Sequence, residues 1–224
     1  MTIGKLSLAL DLNSDEALAL AQNLSGVVPG MKVGMTLFTQ SGPEFVRKLV
    51  ELDYEVFLDL KYHDIPHQVE SAVKQACDLG VRILTVHTSG GRAMMEAAAR
   101  AAEAYEVAVV GVSVLTSLGR EALGEVGVRG PLEAIVDQRA RLAQECGLSG
   151  VVASANELRL LRDEYPSPFL IVTPGIRPAG VDVGDQNRVA TPEQALTRGA
   201  DVLVIGRPIT QAADPIGTAE ALMQ

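Results

Sequence analysis

Strand-like and helical segments alternate along the whole chain, and this alternation restricts the fold more than any other feature of the sequence. Eight runs rich in Val, Leu and Ile are each followed by a segment with helical periodicity or capping signals. The strand-like runs cover residues 6–12, 30–35, 56–61, 83–87, 107–116, 150–155, 169–176 and 201–207. The helical segments cover residues 14–24, 43–52, 66–80, 91–105, 131–147, 156–165, 191–199 and 214–223. The sequence therefore predicts eight consecutive β–α units.

Eight such units predict a closed barrel. Strict alternation favours parallel strands, because each helix carries the chain back across the sheet. No linker or break in composition divides the 224 residues, so we expect an α/β fold with a single (β/α)8 TIM-barrel domain over residues 1–224. The alternative is an open, doubly wound sheet, which in dinucleotide-binding proteins has a glycine-rich turn after the first strand. Here that turn is "DLNSDE" (11–16) and has no glycine.

Composition limits the classes of partner and cofactor. The net charge of −9 argues against nucleic acid or an anionic membrane surface as the main partner. No apolar run approaches the roughly 20 residues of a membrane span, and the N-terminus lacks the features of a signal peptide. We therefore expect a soluble, cytoplasmic protein. Cys77 and Cys146 form neither a CxxC pair nor a metal-binding motif with the three histidines, which favours buried free thiols and no metal.

Polar residues recur where the predicted strands end, which is where (β/α)8 barrels carry their chemistry. They are Asp11, Lys32, Asp59, Lys61, His87, Thr116, Arg177 and Arg207. A single polar residue at a strand end is commonly a cap or a loop contact, and Asp64 could likewise cap the helix that begins near Pro66. The convergence of four cations and several carboxylates on one mouth of an acidic protein instead indicates a site for an anionic ligand.

The third strand-like run places charge inside the barrel. Side chains alternate between the two faces of a strand, so Asp59 and Lys61 share a face with Phe57, whereas the residues between them are apolar. We therefore expect Asp59 and Lys61 to point inward and to form a paired network with Lys32 from the neighbouring strand. A purely structural ion pair is the alternative.

The opposite side of the mouth has the features of a phosphate site. In these barrels phosphate commonly binds between the loops after the seventh and eighth strands. Those loops hold Arg177 and Arg207, whose guanidinium groups can bind a phosphate. They also hold Gly206, where the missing side chain allows the backbone to approach a ligand closely. The polar segment 177–190 is long enough to act as a lid over the ligand.

Six motifs resemble those of the orotidine 5′-phosphate decarboxylase family, in its bacterial short form. They are "ALDL" (9–12), "KVG" (32–34), "DLKYHDIP" (59–66), "VLTS" (114–117), "PGIR" (174–177) and "IGRPI" (205–209). They occur in the family's order and cover essentially the whole chain. The resemblance implies decarboxylation of orotidine 5′-phosphate to UMP and CO2 in pyrimidine biosynthesis, without a metal or organic cofactor.

The resemblance also implies roles for individual residues. Lys32, Asp59, Lys61 and Asp64 would form an alternating network in which Lys61 donates the proton. Asp11 and Lys32 would hold the ribose, Thr116 would lie near the pyrimidine, and Gln186 on the lid would bridge phosphate and base. The 5′-phosphate would be bound by Arg177, Gly206 and Arg207.

A homodimer is implied as well, because in that family Asp64 and Ile65 reach into the partner's site. After Pro66, which belongs to the same signature, the family commonly has Asn-Thr, whereas this chain has His67-Gln68. We expect Gln68 to take over the contact that the missing threonine makes to the ribose.

The sequence leaves three alternatives open. The chain is similar to the related Mg²⁺-dependent decarboxylases of 3-keto-L-gulonate 6-phosphate, but those have an acidic residue where this chain has Lys32. A Schiff-base aldolase could use Lys61, although flanking carboxylates would favour the protonated amine. A non-catalytic phosphoribosyl-binding barrel would need Arg177 and Arg207 but not the lysine–aspartate network.

Overall fold

A computed structural model describes residues 3–177 and 190–223 and has a closed barrel of eight parallel strands. Each strand pairs with its neighbours in chain order, and the last strand pairs with the first. The predicted (β/α)8 barrel is thus confirmed. The strands are β1 (Leu6–Ala9), β2 (Gly30–Gly34), β3 (Glu55–Tyr62), β4 (Ile83–His87), β5 (Ala108–Val112), β6 (Gly150–Val152), β7 (Leu170–Thr173) and β8 (Val202–Ile205).

The helices surround this barrel, and those in the described residues are α1 (Ser14–Asn23), α2 (Met35–Glu51), α3 (Pro66–Cys77), α4 (Gly91–Ala102), α5 (Arg120–Glu125), α6 (Leu132–Glu145), α7 (Leu158–Glu164), α8 (Pro192–Thr197), α9 (Arg207–Thr210) and α10 (Pro215–Met223). Asn13 caps α1 by accepting a hydrogen bond from the Glu16 backbone N–H. α2 starts at Met35 rather than at residue 43 as predicted, and its helical backbone is interrupted at Gly42, where φ is +66°. The short helices α5 and α9 are additions to the predicted alternation.

The core has two layers because strand residues alternate between the barrel interior and the surrounding helices. The inner layer is small and contains Ala9, Phe57, Ile83, Ala108, Val110, Val172, Val202 and Val204. The larger layer lies between strands and helices and includes the fully buried Leu8, Met31, Leu58 and Leu84. Both cysteines are free and buried. No helix in the described residues is long and apolar enough to cross a membrane.

β3 and β4 do not pair regularly along their whole length. Leu58 pairs with Leu84, but the next pair in register is Tyr62 with Val86. Four steps along β3 therefore correspond to two steps along β4, so β3 bulges at residues 59–61. This bulge contains Asp59 and Lys61.

Candidate active site

A cavity of about 500 Å³ opens at the carboxyl ends of the strands. This volume lies within the usual range for small-molecule sites. Eight of the predicted site residues line it: Asp11, Lys32, Asp59, Lys61, Thr116, Arg177, Gly206 and Arg207. Its apolar wall includes Phe57, Val112, Val114, Leu115 and Val152.

Four charged side chains, from Asp11 just after β1 to Lys32 on β2 and Asp59 and Lys61 on β3, form a line in which acid and base alternate. The Lys32 ammonium lies 3.6 Å from Asp11 Oδ1 and 3.7 Å from Asp59 Oδ2. The Lys61 ammonium lies 2.8 Å from the same Asp59 oxygen and donates a hydrogen bond to it. Lys32 and Asp59 are largely enclosed, with side chains 10% and 14% exposed. Two ammonium groups are thus held beside one carboxylate at the wall of the cavity.

The backbone of Lys61 is in the left-handed region, with φ at +53°. A non-glycine residue in that region costs about 1–2 kcal/mol. Its backbone N–H donates to Thr85 Oγ1 at 2.8 Å, and the Thr85 hydroxyl lies 3.1 Å from Asp59 Oδ1, to which it donates. The Lys61 N–H in the bulge of β3 therefore donates to a side chain of β4. Sequence reasoning missed Thr85, although a hydroxyl inside the apolar run "ILTVH" was the signal.

Two glycines keep space open in the cavity. A Cβ atom at Gly34 would lie 3.2 Å from the Lys32 ammonium and 3.7 Å from Asp11 Oδ1. A Cβ atom at Gly206 would lie 3.4 Å from the Cβ of Ala9. Any larger residue at Gly34 would thus crowd the ion pairs of Lys32, a role that sequence reasoning also missed.

The strand-end histidine, His87, lies beside the cavity rather than on its wall. Burial lowers the pKa of its imidazole to about 4, with further lowering from the positive charges of nearby residues such as Arg139. Its ring centroid lies 5.4 Å from that of His63, and its Nδ1 lies 3.2 Å from the Ser89 hydroxyl. His87 is therefore neutral near pH 7 and adds no cation to the site. Among the described residues, no three His, Cys, Asp or Glu side chains are placed to hold a metal ion.

Arg177 and Arg207 lie on the opposite side of the cavity, after β7 and β8. Arg177 is 8% exposed, and its guanidinium donates to the Ile176 carbonyl at 2.9 Å. Arg207 is exposed at the start of α9. Thr116 lies beyond the end of β5, which stops at Val112 rather than at residue 116 as predicted. The loop after β5 therefore brings Thr116 to the cavity.

Four of the predicted site residues that the structure describes do not line this cavity. They are Asp64, Ile65, Pro66 and Gln68, all of which are exposed, and Ile65 is 63% exposed. The N-cap of α3 is Ile65 rather than Asp64, whose carboxylate instead accepts a 2.6 Å hydrogen bond from the Ile65 backbone N–H. Gln186 and most of the predicted lid lie outside the described residues.

Fold and site together define an enzyme of the (β/α)8-barrel class with a lysine–aspartate site at its strand ends. A sequence model of the family described as "Orotidine 5'-phosphate decarboxylase / HUMPS family" matches residues 4–222. The chain belongs to this family, as its motifs predicted.

Individual relatives support the same assignment. The orotidine 5′-phosphate decarboxylase of Idiomarina loihiensis is 47% identical over 100% of this chain and 98% of its own length. The enzyme of that name from Dichelobacter nodosus is 48% identical over 100% and 99%. The crystal structure of orotidine 5′-phosphate decarboxylase from Lactobacillus acidophilus matches with a TM-score of 0.85 and 35% identity, covering 98% of this chain and 97% of that one.

Proposed function

We propose that this protein decarboxylates orotidine 5′-phosphate to UMP and CO2 in pyrimidine biosynthesis. The observation that carries the proposal is the 2.8 Å pair of Lys61 and Asp59 inside a cavity whose far side holds Arg177 and Arg207. The names of full-length relatives at 47–48% identity support the same substrate.

The order of the strands matches the order of groups in such a nucleotide. β7, β8, β1, β2 and β3 are consecutive neighbours in the closed barrel. The two arginines follow β7 and β8, Asp11 follows β1, and Lys32 and Lys61 lie on β2 and β3. A phosphate at the arginines, a ribose at Asp11 and Lys32, and a pyrimidine at Lys61 would therefore follow one continuous arc. Thr116 and the apolar wall would face the base.

The chemistry requires a positive charge beside the reacting carbon. When the bond from C6 to the carboxylate breaks, CO2 leaves and the electron pair stays on C6. An ammonium fixed there stabilises this charge as it develops and then transfers its proton to C6. Lys61 is suited to this role because Asp59 and the left-handed backbone fix its position before substrate binds. Phosphate contacts far from C6 supply binding energy that can be used at the transition state.

The proposal includes a homodimer with shared sites. Asp64 and Ile65 project from the end of β3, next to Lys61, yet contribute nothing to the cavity of their own chain. Met35, at the end of β2, is also 57% exposed, so two large apolar side chains lie uncovered near the mouth. Docking of a second chain here would cover them and bring Asp64 to the partner's lysines.

A direct assay tests the function. The purified protein is mixed with orotidine 5′-phosphate in excess chelator, and the loss of the orotate ultraviolet absorbance is followed. We expect full activity in chelator, since the proposed chemistry uses only side chains of the chain. No absorbance change would overturn the proposed function, and activity that returns only with added Mg²⁺ would favour the related metal-dependent decarboxylases.

Replacement of Arg207 by alanine tests the phosphate side of the cavity. A hydrogen bond to a charged group is worth about 1.5–3 kcal/mol, so we expect kcat/KM for orotidine 5′-phosphate to fall roughly ten- to hundredfold, mainly through KM. Activity on orotidine, which lacks the phosphate, should change little. Arg141→Ala is the matched control, because Arg141 is 59% exposed and pairs with Asp137 on the outer surface. An unchanged kcat/KM for Arg207→Ala would contradict this placement of the phosphate.

A further inference from the structure

We propose that Thr85 is a positioning residue for the reaction, acting through Lys61 and Asp59; this inference rests on the proposed function. Its side chain is fully buried on β4 and lies directly across from the bulge in β3. Sequence analysis assigned no role to this threonine.

The hydroxyl of Thr85 links the backbone of Lys61 to the carboxylate of Asp59. It accepts the backbone N–H of Lys61 at 2.8 Å and donates to Asp59 Oδ1 at 3.1 Å. The other Asp59 oxygen, Oδ2, accepts from the Lys61 ammonium at 2.8 Å. Backbone, hydroxyl, carboxylate and ammonium thus form a closed ring of three hydrogen bonds.

Two features of this ring go beyond ordinary packing. First, the Lys61 N–H has left the regular ladder between β3 and β4, so the hydroxyl takes the place of a strand carbonyl. Second, φ at Lys61 is +53°, a conformation that persists only where the surroundings hold it. Thr85 therefore fixes the direction in which the Lys61 side chain leaves the strand. It also fixes the rotation of the Asp59 carboxylate, which accepts the hydrogen bond from the Lys61 ammonium.

Valine has the shape of threonine without its hydroxyl, so Thr85→Val removes the ring and little else. The lost hydrogen bonds involve a charged carboxylate, and we expect kcat for orotidine 5′-phosphate to fall roughly ten- to hundredfold. Because Thr85 lies away from the phosphate and ribose positions, KM and the dissociation constant of UMP should stay within about threefold of wild type. Thr85→Ser keeps the hydroxyl and should recover most of the loss in kcat.

Thr173→Val is the matched control. Thr173 is also fully buried in a barrel strand, and its hydroxyl has no hydrogen-bond partner among the described residues. It faces the helices, because its neighbour Val172 belongs to the inner layer and strand residues alternate between the two faces. Its replacement should leave kcat unchanged. A loss of kcat in Thr85→Val alone would then come from the broken ring of hydrogen bonds and not from the removal of a buried hydroxyl in general. If Thr85→Val does not fold, Thr85→Ala compared with Thr85→Ser gives the same contrast.

If the wild-type protein decarboxylates the nucleotide, any of three results would overturn the inference about Thr85. They are a normal kcat in Thr85→Val, an equal loss in Thr85→Ser, and an equal loss in Thr173→Val. A crystal structure of Thr85→Val adds a readout independent of activity: we expect φ of Lys61 or its distance to Asp59 to change. An inactive wild type would instead contradict the proposed function itself.

Discussion

Lys61→Ala is expected to abolish turnover while the protein still folds. The variant loses both the charge beside C6 and the proton donor, and each of these contributes roughly a hundredfold or more to comparable reactions. We therefore expect kcat for orotidine 5′-phosphate to fall about 10⁴-fold or further. The fold should survive because Asp59 keeps its contacts with Lys32 and Thr85. Steady-state kinetics measure the loss of turnover, and thermal unfolding and gel filtration test whether the variant keeps its fold.

Lys74→Ala provides the matched control for this variant. Lys74 also forms a short ion pair, 2.7 Å from Glu70, but on the outer face of α3, where its side chain is 52% exposed. Loss of an exposed pair changes stability by less than about 1 kcal/mol, so activity should be near that of wild type. Substantial decarboxylation by Lys61→Ala would remove Lys61 from its proposed role.

Complementation between subunits is the second large effect that we expect. If Asp64 completes the partner's site, Asp64→Ala and Lys61→Ala homodimers should both be nearly inactive. A heterodimer of the two variants, isolated by two different tags, has one site with neither residue and one site with both. Its activity should therefore be about half that of wild type, because a two-fold dimer has two equivalent sites.

The control for complementation uses two residues of the same chain. Asp59 and Lys61 pair within one subunit at 2.8 Å, so a heterodimer of Asp59→Ala and Lys61→Ala has a defect in each of its sites. No activity should return in that case. Failure of the Lys61/Asp64 pair to regain activity, or equal recovery by the control pair, would contradict shared sites.

The sequence predicted the barrel well because its signal is repeated eight times. Periodicity identified every strand, and β4 was predicted over the residues that the structure assigns to it. Boundaries were less accurate where apolar residues continue past the sheet: β5 ends at Val112, although the apolar run continues to Leu115. The early start of α2 was missed because Gly42 and Pro43 suggested a helix beginning at the proline.

The candidate site was predictable to the extent that it depends on strand ends. The carboxyl ends of the strands meet at one mouth of a barrel, so the convergence of Asp11, Lys32 and Asp59 there could be predicted from the sequence. Alternation also predicted that Asp59 and Lys61 share a face, but it assumes a regular strand and so could not reveal the bulge or the left-handed backbone. Thr85 was missed for the same reason, since its partner atoms come together only in the irregular register of β3 and β4.

The unequal exposure of the two lysines has a consequence for how the proposed reaction would return the site to its starting state. Each cycle of the proposed reaction leaves Lys61 as a neutral amine, which has to regain a proton before the next substrate reacts. The Lys61 side chain is 26% exposed, whereas that of Lys32 is 10% exposed. After product release, water at the mouth would reach the neutral Lys61 amine directly. Bulk solvent would then be the proton reservoir of the proposed reaction.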